Sequence, residues 1–300
     1  MKVYVTGYTG YVGRLLCEEF EKEDFELIRI GRQDGADIQW DLCSSEFRGR
    51  IASNSVVVHA AGISDIRNYT DEEFYICNQR STLLLAQACL EAKIKKFIFF
   101  SSCSVYAPAN ETINLETKPN PQDVYGASKF LAEKQLINIF QKTEVELIIL
   151  RPASIYGEER MAHQSSIARL KDNLRSGRFL FIGSGDNYKS FVHVTDVTIA
   201  TKDLIKRKLR CGVVKLILSS QSIRLSELVF ESSYFKEVKN PKIISIYPFL
   251  LVKKIIRAFP FKIGVAERYC ANLGKWTSNY EIDGAEILNQ SEFKYRRKLL

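Results

Sequence analysis

The chain has no Cys-x-x-Cys pair, no apolar run of the roughly 18 residues that a membrane span needs, and no signal-peptide pattern, since Met1 leads directly into a strand. Its seven cysteines, at positions 17, 43, 77, 89, 103, 211 and 270, are odd in number and scattered. Together these absences argue against a disulfide framework and a zinc site. The expectation is a cytoplasmic protein with reduced, mostly packing cysteines and no metal. Acid is scarce in the last hundred positions, where 9 Asp and Glu face 20 Lys and Arg (net +11), while residues 1–200 hold 26 against 23 (net −3). A basic surplus of that kind attracts a polyanionic small molecule, a nucleic acid or an anionic membrane face, or is a solvated surface. What is abundant is hydrophobic residue, 46% of 300 positions, enough for one large domain or two modest ones.

The first twenty residues organise the rest. Lys2-Val-Tyr-Val-Thr6 reads as a buried strand, and Gly7-Tyr8-Thr9-Gly10-Tyr11-Val12-Gly13 opens a helix running to about Phe20. Glycines three apart allow a sharp turn, close approach of backbone to a ligand and tight helix–strand packing. The N–H groups at the helix start then point at a diphosphate. The stretch is a dinucleotide cradle, although Gly-x-x-Gly-x-x-Gly is not the commoner Gly-x-Gly-x-x-Gly spacing.

A second strand, Phe25 to Ile30, ends in Gly31-Arg32-Gln33. An acid near this point would hold the adenosine ribose hydroxyls of NAD, and the sequence has none. Gly31 and Arg32 offer room and a cation instead, which suits the 2′-phosphate of NADP; an ordinary surface arginine is the alternative. Asp41, in Trp40-Asp41-Leu42 after a short third strand, is placed to accept from an adenine amino group. Val56-Val-Val-His59 is a buried parallel strand running into Ala60-Ala61-Gly62, small residues against which a flat cofactor can lie. His59 reads as a strand-end packing residue rather than a catalyst. A helix over 72–92 carries Asn78, and Lys96 to Phe100 is the next strand. This alternation argues for a doubly wound parallel α/β sheet.

Chemistry concentrates after that strand. Ser101-Ser102-Cys-Ser-Val-Tyr106 closes it, and a helix begins near Val124-Tyr125-Gly-Ala-Ser-Lys129. Tyr125 and Lys129 stand at i and i+4 on one helical face, where an ammonium beside a phenol favours the phenolate. A tyrosine lowered in this way becomes a proton-transfer group, and the Ser102 hydroxyl can bond the same substrate oxygen. Taken alone the pair is an ordinary surface contact. Its position downstream of a glycine cradle sets it apart.

Together these stretches, with Leu150-Arg-Pro152-Ala-Ser154-Ile-Tyr-Gly157 and Gly183 to Asp196, resemble the extended short-chain dehydrogenase/reductases of the NAD-dependent epimerase/dehydratase family, which act on nucleotide sugars. The resemblance covers residues 2 to about 200. It implies a Rossmann-type domain over 1–157 with a returning segment near 187–205, and a smaller, mostly helical substrate-binding region over 158–300. By that likeness Tyr125 is the acid/base, Lys129 orients the nicotinamide ribose, and Ser102 polarises the reacting oxygen. Asn78, Ser101, Pro152 and Ser154 join the cradle residues in holding the cofactor, NAD(P) with NADP favoured, and Tyr106 and Lys189 contact the substrate. Family members also often dimerise through the helix carrying Tyr125.

Departures narrow the reaction. Sugar dehydratases carry acids immediately after the catalytic hydroxyl, where this chain has Cys103 and Ser104, so dehydration is disfavoured. Lys189 and Ser190 stand where arginine and aspartate are common. The basic, apolar segment 247–260 reads as a helix capping the substrate or as a weak peripheral membrane contact. The reading is therefore an epimerase or a 4-keto reductase working at the sugar C4, with a non-catalytic dinucleotide-binding protein as the rival class. Nucleic-acid binding lacks any recognisable module.

Overall fold

The computed structural model describes residues 1–41, 47, 50–65, 68–157, 166–176, 180–208, 212–231, 242–244, 277–290 and 293–296. Leu42 and the 247–260 segment lie outside that set. Strands β1 (Lys2–Thr6), β2 (Glu26–Gly31), β3 (Ile38–Gln39), β4 (Val56–His59), β5 (Lys96–Phe100) and β6 (Glu146–Pro152) form one parallel sheet. A seventh strand, β10 (Val213–Leu218), pairs in parallel with β6, giving the order β10-β6-β5-β4-β1-β2-β3. The chain therefore returns to this sheet beyond the 187–205 segment expected from sequence.

Period-2 alternation distributes these strands between two cores. Val3, Val5, Val56, Val58, Ile98 and Phe100 pack on one face, with Leu16 and Phe20 of helix α1 (Tyr11–Phe20) and Val197 and Leu204 of α6 (Val194–Lys206). Tyr4, Val57, Phe97, Phe99 and Ile149 pack on the other, with Leu85 and Cys89 of α3 (Ser81–Glu91) and Leu136 and Phe140 of α4 (Val124–Phe140). Strand order reverses between β1 and β4, so a crevice opens at the carboxyl ends of those strands, where ligands of such sheets bind.

Helix α2 (Asp71–Tyr75) starts on a capping box in which Thr70 and Glu73 satisfy each other's backbone N–H groups. It continues through a π-helical turn, Ile76–Arg80, into α3. That widened turn carries Asn78 toward the crevice end of the sheet, a placement the 3.6-residue period does not disclose. A smaller three-stranded sheet, β7 (Ser154–Tyr156), β9 (Tyr188–His193) and β11 (Gln221–Arg224), packs with α5 (Ser166–Arg175) and α7 (Leu225–Phe230) around Tyr156, Leu170, Phe191 and Leu228. Strand β8 (Leu180–Ile182) pairs with β12 (Lys242–Ile244), and α8 (Glu286–Gln290) contributes Ile287 to the first core.

Candidate functional site

The cradle is built on two obligatory glycines. Gly7 has φ +72°, and a Cβ there would stand 2.7 Å from the Ala61 nitrogen. A Cβ on Gly13 would meet the Gly7 carbonyl oxygen at 2.0 Å, so helix α1 can begin this close to the end of β1 only without a side chain. Gly10 caps α1 with no side-chain hydrogen bond and no acid follows in the first turn, so the helix start carries an unopposed positive field. The Tyr11 hydroxyl donates to the Gly157 carbonyl at 2.5 Å and ties this helix to the end of β7. These features fit a dinucleotide diphosphate.

At the end of β2 the structure corrects one expectation. The space above Gly31 is occupied by the Tyr8 ring, whose Cε1 would lie 2.8 Å from a Cβ on Gly31. The Tyr8 hydroxyl donates to the carbonyls of Gln33 (2.9 Å) and Asp34 (3.1 Å). Glycine at 31 thus makes room for a tyrosine of the chain itself, leaving Arg32 exposed as the cation at this strand end. Asp41 and Thr9 are likewise exposed.

His59, fully buried, is a junction. Its Nδ1 lies 2.6 Å from Thr6 Oγ1 and its Nε2 2.8 Å from Thr82 Oγ1. Thr82 gives its own proton to the Asn78 carbonyl, so Nε2–H must donate, while Nδ1 accepts from Thr6, which in turn accepts from Ala61 N–H. Burial, aided by the Lys129 charge, lowers His59 to about 3 and keeps it neutral. The packing role read from sequence therefore has a polar content: His59 locks the Ala60-Ala61-Gly62 turn to the π-helical turn. Asn78 completes the lock. Its amide reads Ile63 in both directions, accepting from N–H at 2.8 Å and donating to C=O at 2.9 Å, and also donates to Ser128 Oγ. Fully enclosed, Asn78 holds the loop under the crevice and is not placed to touch a cofactor, which corrects the contact expected of it.

Tyr125 and Ser102 do come together. A Cβ on Gly126 would meet the Ser104 carbonyl oxygen at 2.1 Å, so α4 begins pressed against the turn that follows Ser102. There the Ser102 hydroxyl accepts from the Ser104 N–H at 3.1 Å and lies close enough to the Tyr125 phenol to act on its ionisation. Burial pushes that phenol up to about 12 and the Ser102 hydroxyl pulls the other way. The Lys129 ammonium donates to the Phe100 carbonyl at 2.8 Å and lies over the Phe99 ring. Among the chain's own groups, desolvation of the phenol outweighs its polar neighbours. Burial lowers Lys129 to about 8, with the Glu133 carboxylate opposing the fall.

Glu133 is the feature of this site that the sequence reading passed over. It accepts from Ser101 Oγ and takes a two-point contact from Arg151, which also donates to the Tyr106 hydroxyl. All four side chains are buried. Ser101 and Tyr106, expected at the cofactor and the substrate, are instead members of this ion-pair network, since a buried guanidinium requires its donors to be met. Lys189 is also buried, donating to the Ser278 carbonyl beside the Tyr280 ring, so its ammonium is turned from the substrate role expected of it. Pro152 is buried at the end of β6 and Ser154 is exposed two residues on. A signal for Glu133 existed in the sequence: it continues the i, i+4 spacing of Tyr125 and Lys129 by one more turn. Among the described residues no cluster of metal-ligating side chains occurs, and no helix is long and apolar enough to cross a membrane.

The model of the NAD dependent epimerase/dehydratase family matches residues 3–209. The chain belongs to that family. Among curated relatives, UDP-glucose 4-epimerase of Vibrio cholerae is 26% identical over 248 residues, 76% of this chain and 74% of that protein. The N-acetyl-alpha-D-glucosaminyl-diphospho-ditrans,octacis-undecaprenol 4-epimerase of Escherichia coli O157:H7 is 26% identical over 280 residues, 90% of this chain and 79% of that protein. Among solved structures, MoeE5 in complex with UDP-glucuronic acid and NAD shares the fold at a TM-score of 0.77 and 22% identity, covering 100% of this chain and 95% of that one. RMD from Pseudomonas aeruginosa complexed with NADPH does so at 0.71 and 19%, covering 100% and 96%.

Proposed function

We propose that the chain is a nicotinamide-dependent epimerase or 4-keto reductase acting at C4 of a nucleotide-activated sugar. The observation that carries this reading is the packing of the Tyr125 turn of α4 against the turn that follows Ser102, one helical turn from the buried Lys129, at the crevice end of a sheet whose β1 ends in the glycine cradle. Tyr125 takes the C4 hydroxyl proton, or returns it to a C4 carbonyl, while Ser102 holds the same oxygen and Lys129 offers its remaining N–H donors to the ribose of the dinucleotide. A nicotinamide held by these residues would supply the hydride chemistry at the sugar C4. Gly7, Gly10 and Gly13 receive the diphosphate, and Ala60, Ala61 and Gly62 form the floor. The exposed Arg32 supports NADP over NAD. At Cys103, burial raises the thiol, which donates to the Arg151 carbonyl. Dehydration would need an acid at that position. Homodimerisation and a cytoplasmic location belong to the same reading, as does a division of labour between the parallel sheet and the β7-β9-β11 sheet.

A second reading of the substrate rests on coverage. The undecaprenol-linked relative aligns over 90% of this chain, and segment 247–260 combines basic and apolar residues suited to an anionic membrane face. A polyprenyl diphosphate sugar would then replace the nucleotide sugar.

One experiment tests both. Dinucleotide released from denatured protein is identified, and turnover of UDP-sugars and of a polyprenyl diphosphate sugar is compared for wild type and Tyr125→Phe. Retained NAD identifies an epimerase and overturns the Arg32 reading; protein emptied of dinucleotide and preferring NADPH identifies a reductase. Tyr125→Phe should lose turnover by about 1000-fold, in the range expected of a general acid/base. Equal rates in the two proteins would remove the catalytic assignment.

A further inference from the structure

We propose that Glu133 is a positioning residue of this site, its carboxylate holding helix α4 against the ends of β5 and β6 and opposing the burial of the Lys129 charge. The inference rests on the catalytic reading of Lys129 given above. Tyr125, Lys129 and Glu133 lie at i, i+4 and i+8, one above another on a single face of α4. The Glu133 carboxylate accepts from Ser101 Oγ just past the end of β5, and from Arg151 Nε (2.9 Å) and Nη2 at the end of β6. Arg151 Nη1 is held in turn by the Tyr106 hydroxyl, and the Cys103 thiol donates to the Arg151 carbonyl. Helix α4 is therefore pinned at two heights: at Gly126 against Ser104, and two turns later at Glu133 against two strand ends. The ammonium of Lys129, bonded to the Phe100 carbonyl, is suspended between those points.

The groups facing Lys129 make Glu133 the deciding charge. On its own helix stand Tyr125 and Glu133, with Asp123 capping α4 on the Tyr125 side; β4 presents neutral His59, and β5 presents the Phe99 ring and the Phe100 carbonyl. Among the described residues, the negative charge acting on the ammonium is that of Glu133. In a water-poor site a carboxylate one helical turn away favours the protonated amine.

Lysine-selective NMR, with Lys129 assigned from K129M, gives the titration midpoint of Lys129 in wild type, E133Q, E133D and E133Q/R151Q. The midpoint is expected to fall by about half a pH unit or more in E133Q, where the Arg151 charge is left uncompensated, and to return in E133D. The doubly neutral variant leaves no Arg151 charge without its partner and carries the measurement if E133Q fails to fold. The alkaline limb of kcat/KM should move with the midpoint. A folded variant lacking the Glu133 charge but keeping the wild-type midpoint overturns the proposal, leaving Glu133 a packing residue. The titration needs no turnover, so a wild type inactive on every sugar tested would remove the catalytic reading while the midpoint still decides this one.

Discussion

Two of the lysines buried among the described residues, Lys96 and Lys129, lie at opposite ends of the same sheet, and they are satisfied in different ways. Lys96, at the amino end of β5, is fully enclosed. Its ammonium donates to the carbonyls of Leu204 (2.6 Å) and Arg207 and pairs with Glu146 at 3.2 Å. It thereby caps the carboxyl end of α6, where helix carbonyls lack partners and the dipole favours a cation. Lys129, at the carboxyl end, has one carbonyl acceptor among the described residues and an aromatic face beneath it. The first lysine spends its donors on the fold. The second makes one such bond among the described residues, which is what the proposed function asks of a lysine that meets the ribose of a dinucleotide.

The comparison breaks most visibly if Lys129 is replaced. K129M should fold as well as wild type, since it removes a desolvated charge, and should lose turnover by about 100-fold, within the span of acid/base contributions, with weaker dinucleotide binding by fluorescence titration. A K129M protein that unfolds would place Lys129 in the same class as Lys96. The reverse is expected of K96M, which strands Glu146 and the last carbonyls of α6: unfolding free energy in urea should drop by about 3 kcal/mol, the lower range for breaking a buried pair, with kcat/KM of the folded protein unchanged.

A smaller effect lies in pH. Lys129 titrates near 8 in the folded chain and near 10.5 unfolded. Below about 8 both states hold the proton and the cost of the buried charge is fully present; between about 8 and 10.5 the unfolded state binds more protons, so this lysine's cost is relieved as pH rises. Wild-type stability should therefore gain on K129M across that window, while wild-type activity falls through it as the ammonium is lost. Parallel stability curves for the two proteins would contradict the assignment. Lys96 is present in both proteins, so its own downward shift cancels from the difference.

Legibility followed the range of the interaction. Strands β1, β4 and β5 were readable to the residue because each is a short hydrophobic run feeding both cores, and the cradle because Gly7 and Gly13 answer a local steric demand. The pairing of Tyr125 with Lys129 was readable as helical spacing. The partners these side chains choose were not. Tyr106, Ser101 and Asn78 carry the same motif letters whether they face a ligand or the interior, and only the approach of α4 to β6, and of the π-helical turn to Ile63, turned them inward.

By itself, then, the sequence determined the parallel α/β class, the glycine-rich turn between β1 and α1 and the face of α4 that carries Tyr125 and Lys129, because steric exclusion and periodicity act between near neighbours in the chain. Only the tertiary structure decided that Tyr8 fills the space over Gly31, that His59 is a neutral junction and that Glu133 answers Arg151. Those outcomes depend on which buried donors and acceptors meet across distant segments, and a buried polar group takes whichever partner the packing brings within reach.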